Sequence, residues 1–315
     1  MTSLPRSHQP SLKNLPAWAN ERFPLQNFVL FVVVAFAFGI LGRDLAVFSL
    51  NDVALFASIS SFFLLVRILD EHKDYEVDLK NHPDRVLQSG KISLDQLKLV
   101  GVVTFLIPLG YSLYQSQTNS YVLPLFGVTM AWLGLMTKEF FLGEWLEERL
   151  PLYALSHMLI MPLAALWWLA LAQSPDSTWV PFANPTFDLA VMAFAFFGSA
   201  AGEVVRKARG RDEDPNLASY SAFFGFKGTS LLVRVLSGLT VLMTMMIVHS
   251  LTGLNGTFIL LATPLLVTLG LQATHLARYA SNPTEKSREK NEGLFALMLL
   301  ACYGIIIATY FLERG

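Results

Sequence analysis

Hydrophobic positions in this chain gather into long runs; polar and charged residues are confined to the intervals between them. Nine runs, over 26–42, 52–69, 96–115, 120–137, 151–172, 186–205, 229–250, 256–276 and 293–312, approach the roughly 20 apolar residues that a helix needs to cross a bilayer. The pattern predicts an all-α, polytopic membrane protein with nine transmembrane helices. Arg43 and Asp44 interrupt the end of the first run. The 137–150 connection, TKEFFLGEWLEERL, is too polar to span and reads as a short amphipathic helix at the interface. The domain expectation is a polar tail over 1–25 followed by one membrane domain over 26–315.

Composition agrees with that class. Hydrophobic residues are 53% of the chain and charged residues 15%, against nearer a quarter charged in a soluble domain. Mean hydropathy is +0.47. A net charge of −1 gives no electrostatic footprint for a nucleic-acid partner, and the one cysteine, Cys302, cannot form an intrachain disulfide. The proline-bearing N-terminus lacks a signal-peptide layout. Of 23 Lys and Arg residues, eighteen lie in the tail and in the segments after the second, fourth, sixth and eighth runs. By the positive-inside rule the N-terminus and the exits of the even-numbered helices are cytoplasmic, and the C-terminus is outside.

The chemistry concentrates in Arg67–Ser93, directly after the second run. Asp70, Asp74 and Asp78 stand four apart with Glu71 and Glu76 between them, so a continuous helix stacks the three aspartates in one column. Like charges at that spacing repel. Water with Lys73 and Lys80 offsets them if the cluster is a solvated face. A divalent cation, Mg²⁺, offsets them if it is a metal site, since that ion takes a few carboxylates and completes its shell with phosphate oxygens. The abutting membrane-grade run favours the metal. Arg67, one turn before Asp70, is placed to pair with a carboxylate or to touch phosphate. A second charged stretch, Glu203–Asp214, exits the sixth run and falls by parity on the same face. The two stretches therefore read as two halves facing one site.

Asp70-Glu71-x-x-Asp74-x-x-x-Asp78, followed by His82-Pro83-x-Arg85 and Ser89-Gly90-Lys91-Ile92-Ser93, resembles the first signature of the UbiA superfamily of intramembrane prenyltransferases. Asp70 stands where that signature has Asn, and Val86 where it has Pro. Arg22-Phe23-Pro24 is similar to the family's entry to helix 1. The second family motif, D-x-x-x-D, is altered: Asp212 matches its second aspartate, with Glu213 and Asp214 beside it, but Lys207 or Ala208 stands where the first belongs. The resemblance implies a central cavity under a cytoplasmic cap, with Mg²⁺ held by Asp70, Glu71, Asp74, Asp78 and Asp212. Glu203 supports that site. Asp70, Asp74, Asp78 and Asp212 are the implied catalytic residues, and Arg22, Arg67, Lys138, Arg206 and Lys207 the implied diphosphate contacts. Lys138 reads equally as a topological anchor, and the alternative for Arg206 and Lys207 is that both merely hold their loop on the cytoplasmic side. The implied reaction transfers a prenyl group from a prenyl diphosphate to a lipophilic or aromatic acceptor among membrane lipids. The alternative is a UbiA-type terpene cyclase that quenches the cation internally. His157, inside the fifth run, points either into the cavity or into a helix–helix hydrogen bond.

Overall fold

A computed structural model describes residues 9–42, 49–174, 177, 179–213, 219–254 and 256–314. Among the described residues there are helices and loops and no strand. A short α1 (Leu15–Arg22) precedes the apolar runs, which become α2 (Leu25–Gly42), α3 (Leu50–Lys73), α5 (Leu94–Gln115), α6 (Val122–Thr137), α8 (Leu150–Met158) with α9 (Ile160–Leu171), α10 (Pro185–Arg206), α11 (Tyr220–Thr252), α12 (Gly256–Ser281) and α13 (Glu285–Arg314). Two short polar helices, α4 (Tyr75–Asn81) and α7 (Gly143–Glu147), lie in the connections. Among the described residues seven helical segments are long and apolar enough to cross a membrane, while Phe28–Gly42 and Val122–Thr137 are shorter apolar helices. Arg43, Asp44 and Asp214, named from the sequence, lie outside the described residues.

Several boundaries follow from single residues. Ser93 caps α5: its hydroxyl accepts the Gln96 N–H at 3.2 Å and the Gln96 side chain accepts the Ser93 N–H at 3.2 Å. The fifth run, expected as one helix, divides at Leu159. Pro162 cannot donate to Met158 and its ring crowds that carbonyl, so α8 stops there and α9 starts afresh. The seventh helical segment begins earlier than the expected 229, at Tyr220 behind the Ser219 cap, and is kinked at Gly225, whose φ of 68° would strain a side-chain-bearing residue.

α3 packs on α2 and α5, and α10 sits between α9, α11 and α13. The bundle centre is aromatic. Trp167 and Trp168 of α9 are fully buried against Phe38, Phe62 and Phe126, and the Trp167 Nε1–H donates to Ser112 Oγ at 3.1 Å. Phe62 lies about 12 Å along α3 from Asp70, at 1.5 Å per residue. The charged end of the bundle thus rests on a dry plug. Outward faces are apolar in turn: Leu99, Val102, Val103 and Leu106 on α5, and Ile259, Leu260, Leu266 and Val267 on α12, are exposed. A surface of that kind suits lipid contact.

Trp167→Ala removes both the ring and the Ser112 hydrogen bond from this plug. The expected cost is about 3–5 kcal/mol, seen as a large drop in thermal midpoint in detergent beside an unchanged Leu106→Ala control. A midpoint equal to that control would show that the aromatic plug does not limit stability.

Candidate active site

The charged end of α3 departs from the single column of aspartates. The helical ladder continues, with Asp74 N–H on the Asp70 carbonyl at 2.8 Å and Asp78 N–H on the Asp74 carbonyl at 2.9 Å. Asp74 itself has φ −94° and ψ 5°, which ends α3 and starts α4. The reason lies in α1. Arg22 donates from Nε to Glu71 Oε1 at 2.5 Å and from Nη2 to Asp78 Oδ2 at 3.2 Å, so one guanidinium joins the two sides of the bend. Arg67 adds two bonds to Glu71 Oε1, at 2.6 and 3.0 Å, and Arg85 binds Asp78 Oδ2 at 2.7 Å. The Glu71 side chain is wholly buried. Glu71 and Asp78 are thereby committed to arginines, and among the described residues Asp70 and Asp74 are the motif's carboxylates with no arginine ion pair.

Those two face a polar mouth assembled from four elements. Lys73 donates to the Tyr153 hydroxyl of α8 at 3.0 Å, lies 3.2 Å from Glu139 Oε1, and lies 3.9 Å from Asp74 Oδ1. Burial, then the charges of Asp78 and Glu139, outweigh Lys73 and push the Asp74 carboxyl above its ordinary range. Glu139 belongs to the 137–150 connection, which forms a 3₁₀ turn over Glu139–Phe141 and then α7. Glu139, Phe140 and Phe141 all have left-handed φ, between 49° and 58°. Such residues cost on the order of 1 kcal/mol or more each, held here by the Glu139–Lys73 pair and by Phe140 packed on Trp132 and His157. Phe141, Leu142 and Trp145 project outward. Lys138 is exposed at the end of α6. His157 engages the Tyr153 carbonyl through Nδ1 at 2.8 Å, within its own helix, and stacks on the Tyr153 ring.

The opposite wall is the end of α10. Glu203 accepts Arg206 Nη2 on Oε2 at 2.6 Å, and Lys207 Nζ lies 2.7 Å from its Oε1, so both oxygens are occupied. Arg206 is within electrostatic reach of Asp70, and Lys207 of His157. The two charged stretches of the sequence therefore meet at one end of the bundle. Asp212 sits beyond the wall. Its Oδ1 accepts the Glu285 N–H at 2.8 Å, at the first residue of α13. Glu213 accepts the Gly210 N–H at 2.7 Å and pairs with Arg209 and Arg288, each at 3.1 Å. Burial alone would raise the Glu213 carboxyl, but these bonds hold it below its ordinary range.

Among the described residues no three His, Cys, Asp or Glu side chains converge as a metal cage. Mg²⁺ does not need one, because it binds through one or two carboxylates and completes its shell with phosphate and water. Asp70 and Asp74 fit that requirement. Glu203, with both oxygens taken, and Asp212, turned to α13, do not supply a second pair. Below the mouth a cavity of about 200 Å³ runs between α8, α10 and α11, with Glu203 and Tyr220 at its polar end and Phe196, Leu232 and Leu236 among its apolar walls. Leu155 and Phe224, also lining it, are exposed on the bundle's flank. Sequence reasoning missed Glu139, Tyr153 and Tyr220. Each lies at the edge of an apolar run with no motif around it, and only the helix packing brings it to Lys73 or Arg206.

No family sequence profile and no curated protein matches the chain. Solved structures do. A digeranylgeranylglyceryl phosphate synthase superposes with a TM-score of 0.64 at 16% identity, over 95% of this chain and 99% of that one. A UbiA homolog from Aeropyrum pernix K1, in its apo form, superposes with a TM-score of 0.66 at 16% identity, over 92% and 98%. The chain thus has the UbiA fold and is a multi-pass membrane protein.

Two outcomes test the carboxylate assignments. Arg22→Ala leaves buried Glu71 with Arg67 alone and is expected to cost about 3 kcal/mol of stability, read as a lower thermal midpoint; an unchanged midpoint would remove Arg22 as the tie across the bend. Because the folded-state pKa of Glu213 is lowered, its stabilisation is present above the unfolded value of about 4.3 and is lost as pH falls through the folded value. Glu213→Gln should lower the midpoint at pH 7 and narrow its gap from the parent on acidification below about pH 4. A gap independent of pH would show that the Glu213 charge does not fasten the loop.

Proposed function

We propose that the chain is a prenyltransferase of the UbiA superfamily, which moves a prenyl group from a prenyl diphosphate to a lipophilic or aromatic acceptor inside the membrane. The observation that carries this reading is the pairing of one polar mouth with one apolar cavity. Asp70 lies within electrostatic reach of Arg206, and Lys207 within reach of His157, which stacks on the Tyr153 that Lys73 engages, and the cavity opens beneath them with Glu203 and Tyr220 at its polar end. A diphosphate belongs at the wet rim and its hydrocarbon in the dry interior, where a developing carbocation is shielded from water. The fold likeness supports the same class of reaction.

The mouth's charge bears on the cofactor. Asp70, Asp74, Glu139 and Glu203 are balanced by Lys73, Arg206, Lys207 and, at the rim, Lys138, so the mouth carries no surplus of positive charge. A polyanionic diphosphate entering that field needs a further cation, and Mg²⁺ on Asp70 and Asp74 is our assignment. Bound there, the ion would draw negative charge onto the leaving pyrophosphate. The chain's own part is positional. Arg22, Arg67 and Arg85 hold Glu71 and Asp78, which fixes the bend that presents Asp70 and Asp74. Lys73, steadied by Tyr153 and Glu139, stands beside the same oxygens. Lys138 guards the rim as a further point charge. Asp212 serves through the loop that it fastens to α13.

We read all nine apolar helices as membrane spans of a single domain, with the mouth and N-terminus on the cytoplasmic side, because Lys and Arg concentrate at that end. An acceptor dissolved in lipid has a route past Leu155 and Phe224, which favours transfer over internal quenching by a cyclase. Purified protein given Mg²⁺ and C10–C20 diphosphates should stay silent until an acceptor is added. A cyclised product without acceptor would establish the cyclase instead. Asp70→Ala and Asp74→Ala should each lower turnover roughly 100-fold or more at an unchanged thermal midpoint. Near-parental turnover at saturating Mg²⁺ would take these carboxylates out of the site.

A further inference from the structure

The resemblance implies acidic residues, and with them metal, at both motifs. The α10 side is built otherwise. Glu203 spends one oxygen on Arg206 and the other on Lys207, and Asp212 faces the start of α13. A metal approaching α10 finds two cations and no open carboxylate pair. The cations keep spare capacity. A guanidinium has five N–H donors and an ammonium three, and Glu203 engages one hydrogen-bonding nitrogen of each side chain. The Arg206 side chain is 64% exposed and that of Lys207 33%, so both remain accessible from the mouth.

We propose that Arg206 and Lys207, presented by Glu203, take the place of metal on this side, so that the diphosphate is held between one Mg²⁺ at Asp70 and Asp74 and two fixed protein cations at α10. This rests on the prenyl-diphosphate reading. In the ionisation step the bond between C1 of the prenyl chain and the bridging oxygen breaks heterolytically. Both electrons leave with pyrophosphate, and no proton need move. N–H donors of Arg206 and Lys207 meet the charge that develops on those oxygens. Fixed donors need little reorganisation at that moment, which is what makes preorganised charge effective. Glu203 supplies the preorganisation, because without it two adjacent cations would spread apart into water.

The test uses the full-length protein in nanodiscs with a non-ionisable prenyl S-thiolodiphosphate and Mn²⁺ as a spin-active stand-in for Mg²⁺. Electron paramagnetic resonance should count one bound ion per chain in the analogue complex. Lys207→Ala and Arg206→Ala should each weaken analogue binding roughly 10-fold or more at saturating metal, the scale of a charge-assisted hydrogen bond. Lys207→Arg should restore most of the loss, which a merely topological lysine or a folding defect would not require. Two bound ions, or parental analogue affinity in Lys207→Ala and Arg206→Ala, would overturn this proposal while leaving the prenyl-diphosphate reading intact. Failure of the parent chain to bind the analogue with metal present would overturn that reading itself and this proposal with it.

Discussion

The structure depends on how carboxylates are kept at the end of an apolar bundle. Glu71 is wholly buried, and an isolated charge there would cost several kcal/mol. Arg22 and Arg67 offset part of that cost by converging on one of its oxygens, while the other oxygen stays buried with no hydrogen-bond partner among the described residues. Arg22 also reaches Asp78, on the far side of the break at Asp74. A single guanidinium from a short helix ahead of the bundle therefore sets the shape of the acidic segment. It turns Glu71 and Asp78 into fasteners and leaves Asp70 and Asp74 for chemistry.

The same division recurs on the other half. Glu213 and Asp212 lock the loop after α10 to the start of α13, through Arg209, Arg288 and the Glu285 N–H. Glu203, in the last turn of α10 and nine residues before Asp212, lines the cavity and orients two cations. In each half, acidic residues that look alike in sequence separate into those that close an ion pair with a neighbouring helix and those that front the cavity. Burial and partner decide which. Away from both charged segments, Trp167 and Trp168 are fully buried among Phe38, Phe62 and Phe126.

Strain concentrates in the 137–150 connection. Three successive residues in left-handed backbone persist because Glu139 is tied to Lys73 and Phe140 is wedged between Trp132 and His157. That connection carries one carboxylate to the mouth and turns Phe141, Leu142 and Trp145 outward, the residue types that settle at a membrane interface. A polar link between two helices thus becomes part of the site's rim.

Much was legible in the chain itself. Helix content and the position of each apolar run follow from run length, because backbone polar groups in lipid are satisfied only within a helix or a closed barrel. The acidic stretch after the second run and the charged stretch after the sixth were visible as local patterns, and their meeting followed from parity. The sequence could not sort Asp70 and Asp74 from Glu71 and Asp78, since the arginine that does so lies 49 residues from Glu71 and 56 from Asp78. Nor could it show Asp212 as the cap of a helix 73 residues on, or bring Tyr153 and Glu139 to Lys73. Periodicity and hydropathy record how each segment meets its surroundings. Which charge meets which is set by pairwise distance, and only the packing of the helices determines that.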